Sequence, residues 1–154
     1  ERWTARVIMA QKDPKAPIGS EGERLVGEEV AKIMVQGWLS PKTFDGGSRE
    51  KRVAQLKKLV HDNRLDGLIN IVDAISSYNL LDGIEKAIVP ALFVAGEADK
   101  PVQPGMKKLV ESYGVKGAEL HVVADAGHLP GWEQPAEVVR LLSSFLNSAK
   151  NKPT

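Results

Sequence analysis

Two residues of this 154-residue chain have types and positions suited to acid–base chemistry. Asp99 stands in Gly-Glu-Ala-Asp, after the apolar run 91–95. His128 stands in Ala-Gly-His-Leu-Pro, after the run 120–124. Both runs read as buried strands, and 105–113 between them reads as a helix. Strand, helix and second strand make a βαβ unit, from which parallel sheets are built. In open α/β sheets, reactive groups collect at the carboxyl ends of strands. An acid and a base leaving two such ends are therefore a candidate pair. A neutral imidazole takes up a proton near pH 7, and a carboxylate beside it orients the ring.

The elements that must position this pair follow from periodicity. Residues 1–11 predict an amphipathic helix, with Trp3, Val7 and Ala10 on one face and Ile8 at its edge. Residues 12–22 carry Pro14, Pro17, Gly19 and Gly22, which is loop chemistry. A second helix is expected over 22–38, with a stripe of Leu25, Val30, Ile33, Met34 and Trp38. It stops before Ser40-Pro41, because the residue preceding a proline avoids helical geometry. After a loop over 42–48, Ser48 is the expected N-cap of a helix carrying Val53, Leu56, Leu59 and Val60. Asn63 breaks the pattern, and 64–78 predicts a fourth helix with Leu65, Leu68, Ile69, Val72 and Ile75 inward. Residues 80–83 lead out towards the first strand. The last helix, 136–148, has a broad apolar arc that suits lying flat on a sheet. Residues 147–154 read as a frayed polar tail. The chain is thus α/β, with a helical half over 1–86 and a βαβα half over 87–154.

Composition narrows the function. Hydrophobic residues make up 42% and charged residues 27%, the balance of an ordinary globular domain. A net charge of +1 gives no bulk attraction to nucleic acid or membrane, and no run is long enough for a transmembrane helix. The absence of cysteine removes disulfides, thiol nucleophiles and thiolate metal sites from this chain, and it fits a reducing, cytoplasmic setting. No cofactor or metal is expected. The first residue is Glu1, without a signal-peptide pattern after it, and this suggests a processed or cut piece.

Residues 91–146 resemble the C-terminal portion of the α/β-hydrolase fold. The resemblance is carried by the GEAD turn, by Pro104 at the start of the next helix, and by GHLPGWEQP, where Glu133 and Pro135 follow the histidine at a spacing common in that superfamily. It implies that Asp99 is the acid after the penultimate strand and His128 the base after the last. The helical half then resembles the cap, or lid, that such enzymes insert before the penultimate strand. More narrowly, ERWTARV, GWLSPKTF and YNLLDGIEKAIVPALFVAG resemble the 3-oxoadipate enol-lactonase branch, with its Trp-x-x-Arg and Trp-x-x-Pro punctuation.

The superfamily's nucleophile elbow, Gly-x-Ser-x-Gly, is missing. Gly47-Ser48-Arg49 has no following glycine, and Gly19-Ser20-Glu21-Gly22 has the wrong spacing. The oxyanion-hole loop of the family's N-terminal half is missing too. The resemblance therefore implies the acid–base half of a serine hydrolase acting on an ester or enol-lactone, completing a catalytic triad with a serine carried elsewhere. The expected partner is the N-terminal half of the same hydrolase, as a separate chain from a cleaved precursor. The order acid then histidine matches the family. Losing a nucleophile costs up to ~10⁶ in turnover, so this chain alone is expected to be nearly inert. Two parallel strands also leave an open edge, so stability is expected only when docked.

Other readings stand beside these. His128 also suits a surface turn, and Asp99 a turn cap. Asp125 is a rival acid close to His128, although its place before a glycine suits a turn. His121 reads as a partly buried structural histidine and His61 as a solvated helix end. Trp38, Met34 and Trp132 are candidates to touch a small-molecule substrate, against plain packing. Arg2 and Arg6 are candidates to attract a carboxylate, against an exposed charged face. At the level of the whole chain, the alternatives are a non-catalytic binding or scaffold protein derived from a hydrolase, or an enzyme whose nucleophile is aspartate or cysteine.

Overall fold

Residues 2–45, 47–79, 81–114 and 118–150 are described in the computed structural model. They form two units, Glu1–Gly37 with Gly46–Tyr78 and Trp38–Asp45 with Asn79–Thr154. The division differs from the expected one after residue 86: residues 38–45 and 79–86 group with the second unit.

The first unit is helical. Helices α1 (Arg2–Lys12), α2 (Glu28–Trp38, whose last residue belongs to the second unit), α3 (Glu50–His61) and α4 (Leu65–Ser77) follow in order. Ala10, Val26, Val30, Ala31, Val35 and Val72 are among its buried residues. α2 begins six residues later than expected. Residues 24–26 are instead held in bridge pairing between two left-handed glycines, Gly22 and Gly27: Leu25 bridges Arg64, and Val26 N–H donates to the Asn63 carbonyl at 2.9 Å. The Arg24 guanidinium donates to the Gln11 and Asp13 carbonyls, supplying donors and positive charge to the C-terminal end of α1. Ser48 is not the N-cap of α3; Arg49 is, without a side-chain cap. The inward faces also differ in detail. Leu59, Ile33 and Ile75 are exposed, while Val35, absent from the expected stripe, is fully buried.

The second unit holds a parallel pair, β1 (Leu92–Gly96) and β2 (Glu119–Val123), in the register Leu92↔Glu119 to Gly96↔Val123. Side chains alternate between its two faces. On one face Leu92, Val94 and Val123 pack with Ala126, Val138 and Leu141. The last two lie on α8 (Pro135–Lys150). On the other, Phe93 meets Tyr113, just after α6 (Gln103–Ser112), edge to face at 5.6 Å. A parallel pair covered by a helix on each face is the expected βαβα arrangement. Three short elements add to it: a 3-10 turn Pro41–Phe44, α5 (Leu81–Ile84) and α7 (Pro130–Glu133). α8 continues to Lys150, beyond the expected start of the frayed tail, and 151–154 lie outside the described residues. Its broad apolar arc splits in two: Leu141 is 5% exposed, whereas Val139, Leu142 and Leu146 face out.

That split gives a direct test. Leu141→Ala is expected to cost about 2–5 kcal/mol in urea unfolding, the range for emptying a packed core site. Leu142→Ala, one residue on and 44% exposed, is expected to change stability by no more than about 0.5 kcal/mol.

Candidate active site

The carboxyl ends of β1 and β2 are joined beyond the strands themselves. Glu97 N–H donates to the Val123 carbonyl at 2.9 Å and Ala98 N–H to the Ala126 carbonyl at 2.8 Å, extending the pairing into both loops. The loop after β1 closes on itself. Asp99 N–H donates to Gly96, and the Asp99 carbonyl accepts from Val102 and Gln103. The Gln103 side-chain amide then donates to the Gly96 and Glu97 carbonyls at 2.8 and 2.7 Å. Every one of these bonds restricts where the Asp99 carboxylate stands.

The loop after β2 turns at Asp125, whose φ is +56°. Asp125 N–H is taken by the Glu97 carboxylate at 3.2 Å, and the Asp125 side chain pairs with Lys42. That carboxylate holds the Lys42 ammonium above its ordinary range, by hydrogen bonding first and charge second. Asp125 is thus a turn residue with a cationic partner.

His128 Nδ1 lies 2.7 Å from Asp99 Oδ2. The Asp99 side chain is 12% exposed and that of His128 47%. A carboxylate only accepts hydrogen bonds, so Nδ1 carries the proton and Nε2 is left as the basic nitrogen. The acid is shielded and the base reaches solvent. This is the arrangement in which a carboxylate fixes an imidazole tautomer and stabilises the imidazolium that forms on proton uptake.

A residue to which sequence reasoning assigned no role completes the surroundings. Glu133 is 1% exposed, the largest fully buried side chain described. Its Oε1 accepts from Ser40 N–H at 2.8 Å and Thr43 O–H at 2.6 Å, and its Oε2 from Gly127 N–H at 2.6 Å. One residue on, His128 N–H donates to the Trp38 carbonyl at 2.6 Å. The available signal was a lone carboxylate among the apolar and turn residues of LPGWEQP. Two of its partners, Ser40 and Thr43, lie some 90 residues away and left no local pattern. Backbones approach closely here, and glycine is what permits it. A Cβ on Gly96 would lie 2.0 Å from the Gly127 carbonyl, and one on Gly127 2.3 Å from the Trp38 carbonyl.

The remaining sequence candidates fall as follows. Trp38 and Trp132 are partly buried and belong to the same unit as His128. Met34 belongs to the first unit and is 5% exposed. Arg6 stacks over the Trp3 ring at 4.8 Å, so the Trp-x-x-Arg phrase is a local cation–π pair; the Arg2 side chain lies outside the described residues. His121 is partly buried beside Glu119, and His61 pairs with Asp62. Among the described residues no group of three His, Cys, Asp or Glu could hold a metal ion, and no helix is long and apolar enough to cross a membrane.

A parallel pair carrying an acid on one loop and a histidine on the next defines a class, and comparison agrees. Residues 5–141 match the Alpha/beta hydrolase family, and the chain belongs to it. Among solved structures it is similar in fold to a thermophilic esterase from Thermogutta terrifontis, at a TM-score of 0.72 and 19% identity over 96% of this chain. It is likewise similar to the enol-lactonase from Burkholderia xenovorans LB400, at 0.72 and 18% over 94%. An N-acyl homoserine lactone degrading enzyme matches at 0.65 and 23% over 91%. The chain spans 50% of the length of each of these three.

Gly127→Ala is expected to destabilise the protein by about 1–3 kcal/mol, the range for forcing volume into a packed site, because the added carbon meets fixed backbone. Gly131→Ala, with nothing within 4 Å of the new carbon, is expected to be neutral or stabilising by up to about 1 kcal/mol. Urea midpoints of the two variants make the comparison.

Proposed function

We propose that Asp99 and His128 are the acid and base of a hydrolase that cleaves an ester or lactone, with a serine nucleophile supplied from outside this sequence. The observation that carries the reading is the 2.7 Å contact between a shielded carboxylate and a solvent-reaching imidazole. Family membership and the esterase and lactonase likenesses support the class of bond. The missing Gly-x-Ser-x-Gly segment supports an external nucleophile. In this reading the partner is the N-terminal half of the same hydrolase, as a second chain from a cleaved precursor. The two strands among the described residues are fewer than a sheet ordinarily needs for independent stability, so the partner would also cover the sheet's free edge. The first unit would act as the cap. The cytoplasmic setting suggested by the lack of cysteine is kept.

The contact between Asp99 and His128 supports the following steps. Nε2 of His128 takes the serine proton as the hydroxyl oxygen attacks the carbonyl carbon of the ester or lactone. Asp99 holds Nδ1–H and stabilises the imidazolium. His128 then gives the proton to the leaving alkoxide, or enolate for an enol-lactone, and the acyl group stays on serine. Water, deprotonated by the same nitrogen, attacks the acyl-serine, and His128 returns that proton to the serine oxygen as the carboxylic acid leaves. Trp38 and Trp132 are proposed to border the substrate, since both belong to the unit that carries the dyad. Met34 is buried and has the weakest claim.

Denaturing mass spectrometry of the native-size protein is expected to find a second chain bearing Gly-x-Ser-x-Gly. The assembled protein is expected to hydrolyse activated esters and enol-lactones. Asp99→Asn is expected to lower kcat by ~10⁴, the loss seen when the tautomer is wrong, and His128→Ala by up to ~10⁶. A single chain at this mass, with no hydrolysis, would overturn the reading in favour of a binding or scaffold protein.

A further inference from the structure

We infer that Glu133 is a positioning residue of the candidate site: its buried carboxylate fastens the His128 loop to residues 38–43 and thereby holds the imidazole against Asp99. The inference rests on the proposed role of His128 as a base, but its evidence is independent of turnover. A carboxylate with 1% exposure has lost its water and must recover hydrogen bonds from the protein. It does so from two directions. Oε1 is spent on the Ser40 N–H and Thr43 hydroxyl, and Oε2 on the Gly127 N–H, the peptide directly before His128. The His128 N–H is in turn held by the Trp38 carbonyl, so the two successive N–H groups that lead into the base are both fixed.

Both oxygens are needed as acceptors, and this makes the requirement specific. Glutamine has the same shape but offers one oxygen and one NH₂. Whichever way it is turned, the NH₂ faces a backbone N–H, of Gly127 or of Ser40. One side of the clamp is then lost without any change in side-chain volume. Thr43→Val removes a single donor and keeps the other two. Leu141→Ala empties core volume on the α8 face without touching the clamp.

The test reads the His128 ring itself. Nitrogen-15 NMR shifts of the neutral imidazole report which ring nitrogen carries the proton. Wild type is expected to be mainly the Nδ1–H tautomer, with Asp99→Asn marking the released state. Glu133→Gln is expected to move the Nδ1–H to Nε2–H ratio towards that state by ~10-fold, the shift expected when a buried N–H loses its acceptor. Thr43→Val is expected to move it less, and Leu141→Ala to leave it unchanged despite lower stability. In the assembled hydrolase, Glu133→Gln is expected to lower kcat with little change in KM. A wild-type tautomer ratio in Glu133→Gln would overturn the inference, as would an equal shift in Leu141→Ala. Should Glu133→Gln fail to fold, an unchanged ratio in Thr43→Val would overturn it. Because the readout is the ring's own protonation pattern, a protein that hydrolyses nothing still decides the question for Glu133. Failure of the hydrolase reading appears separately in the turnover assays.

Discussion

A carboxylate taken out of water costs several kcal/mol unless the protein supplies its hydrogen bonds. The second unit is arranged around one such group. Glu133 collects a backbone N–H and a hydroxyl from residues 40–43, distant in sequence, and a second N–H from Gly127 on its own loop, and each donor it satisfies ties a segment down. Strand pairing fixes where Gly96 and Val123 end. It does not by itself fix where a histidine five residues beyond Val123 will stand. That position follows from the clamp, from the Trp38 carbonyl that holds His128 N–H, and from glycines at 96 and 127 that let three backbones approach within contact.

The dyad divides into a rigid partner and a reaching one. Asp99 is confined by its own turn, by Gln103 and by continued pairing between the two loops, and it is shielded from solvent. Shielding strengthens its hold on the ring, because a hydrogen bond to a charged acceptor gains as the local dielectric falls. His128 is half exposed, as a group that must exchange protons with a substrate requires. Asp125, a carboxylate far nearer to His128 in sequence than Asp99, is drawn off by Lys42. Proximity along the chain therefore decides little here. The strand ends and the ion pair decide which carboxylate faces the imidazole.

The parts legible in the sequence were those written in short-range pattern. Two apolar runs with turn chemistry at their ends gave both strands to within a residue and placed Asp99 and His128 at their carboxyl ends. Helical periodicity located α1, α3, α4, α6 and α8. The misreadings have long-range causes. Residues 22–27 carry a helix-like pattern, but Leu25 and Val26 are drawn out of it by pairing with Arg64 and Asn63. Leu59 fits a helical stripe, yet what covers a stripe is set by tertiary packing, and it lies exposed. Residues 38–45 read as the end of the second helix and the start of the next loop, inside the helical half. Their membership of the second unit depends on Glu133, which pattern reading had no means to pair with Ser40 and Thr43.

The sheet and the clamp have different demands on their surroundings. A parallel pair with helices on both faces satisfies its side chains but leaves the outer backbone groups of both strands without ladder partners among the described residues. The outward residues of α8, Val139, Leu142 and Leu146, fall at helical spacing, so they form a second apolar stripe beside the one that packs on the sheet. The clamp is the opposite case. Its carboxylate is buried, and every donor that the structure assigns to it lies in the same unit. The geometry of the acid–base pair thus draws on interactions internal to this unit, while the strands beneath it present a backbone edge and α8 an exposed apolar stripe. A chain built this way can hold a histidine and a carboxylate in register even where the sheet that carries them is narrow.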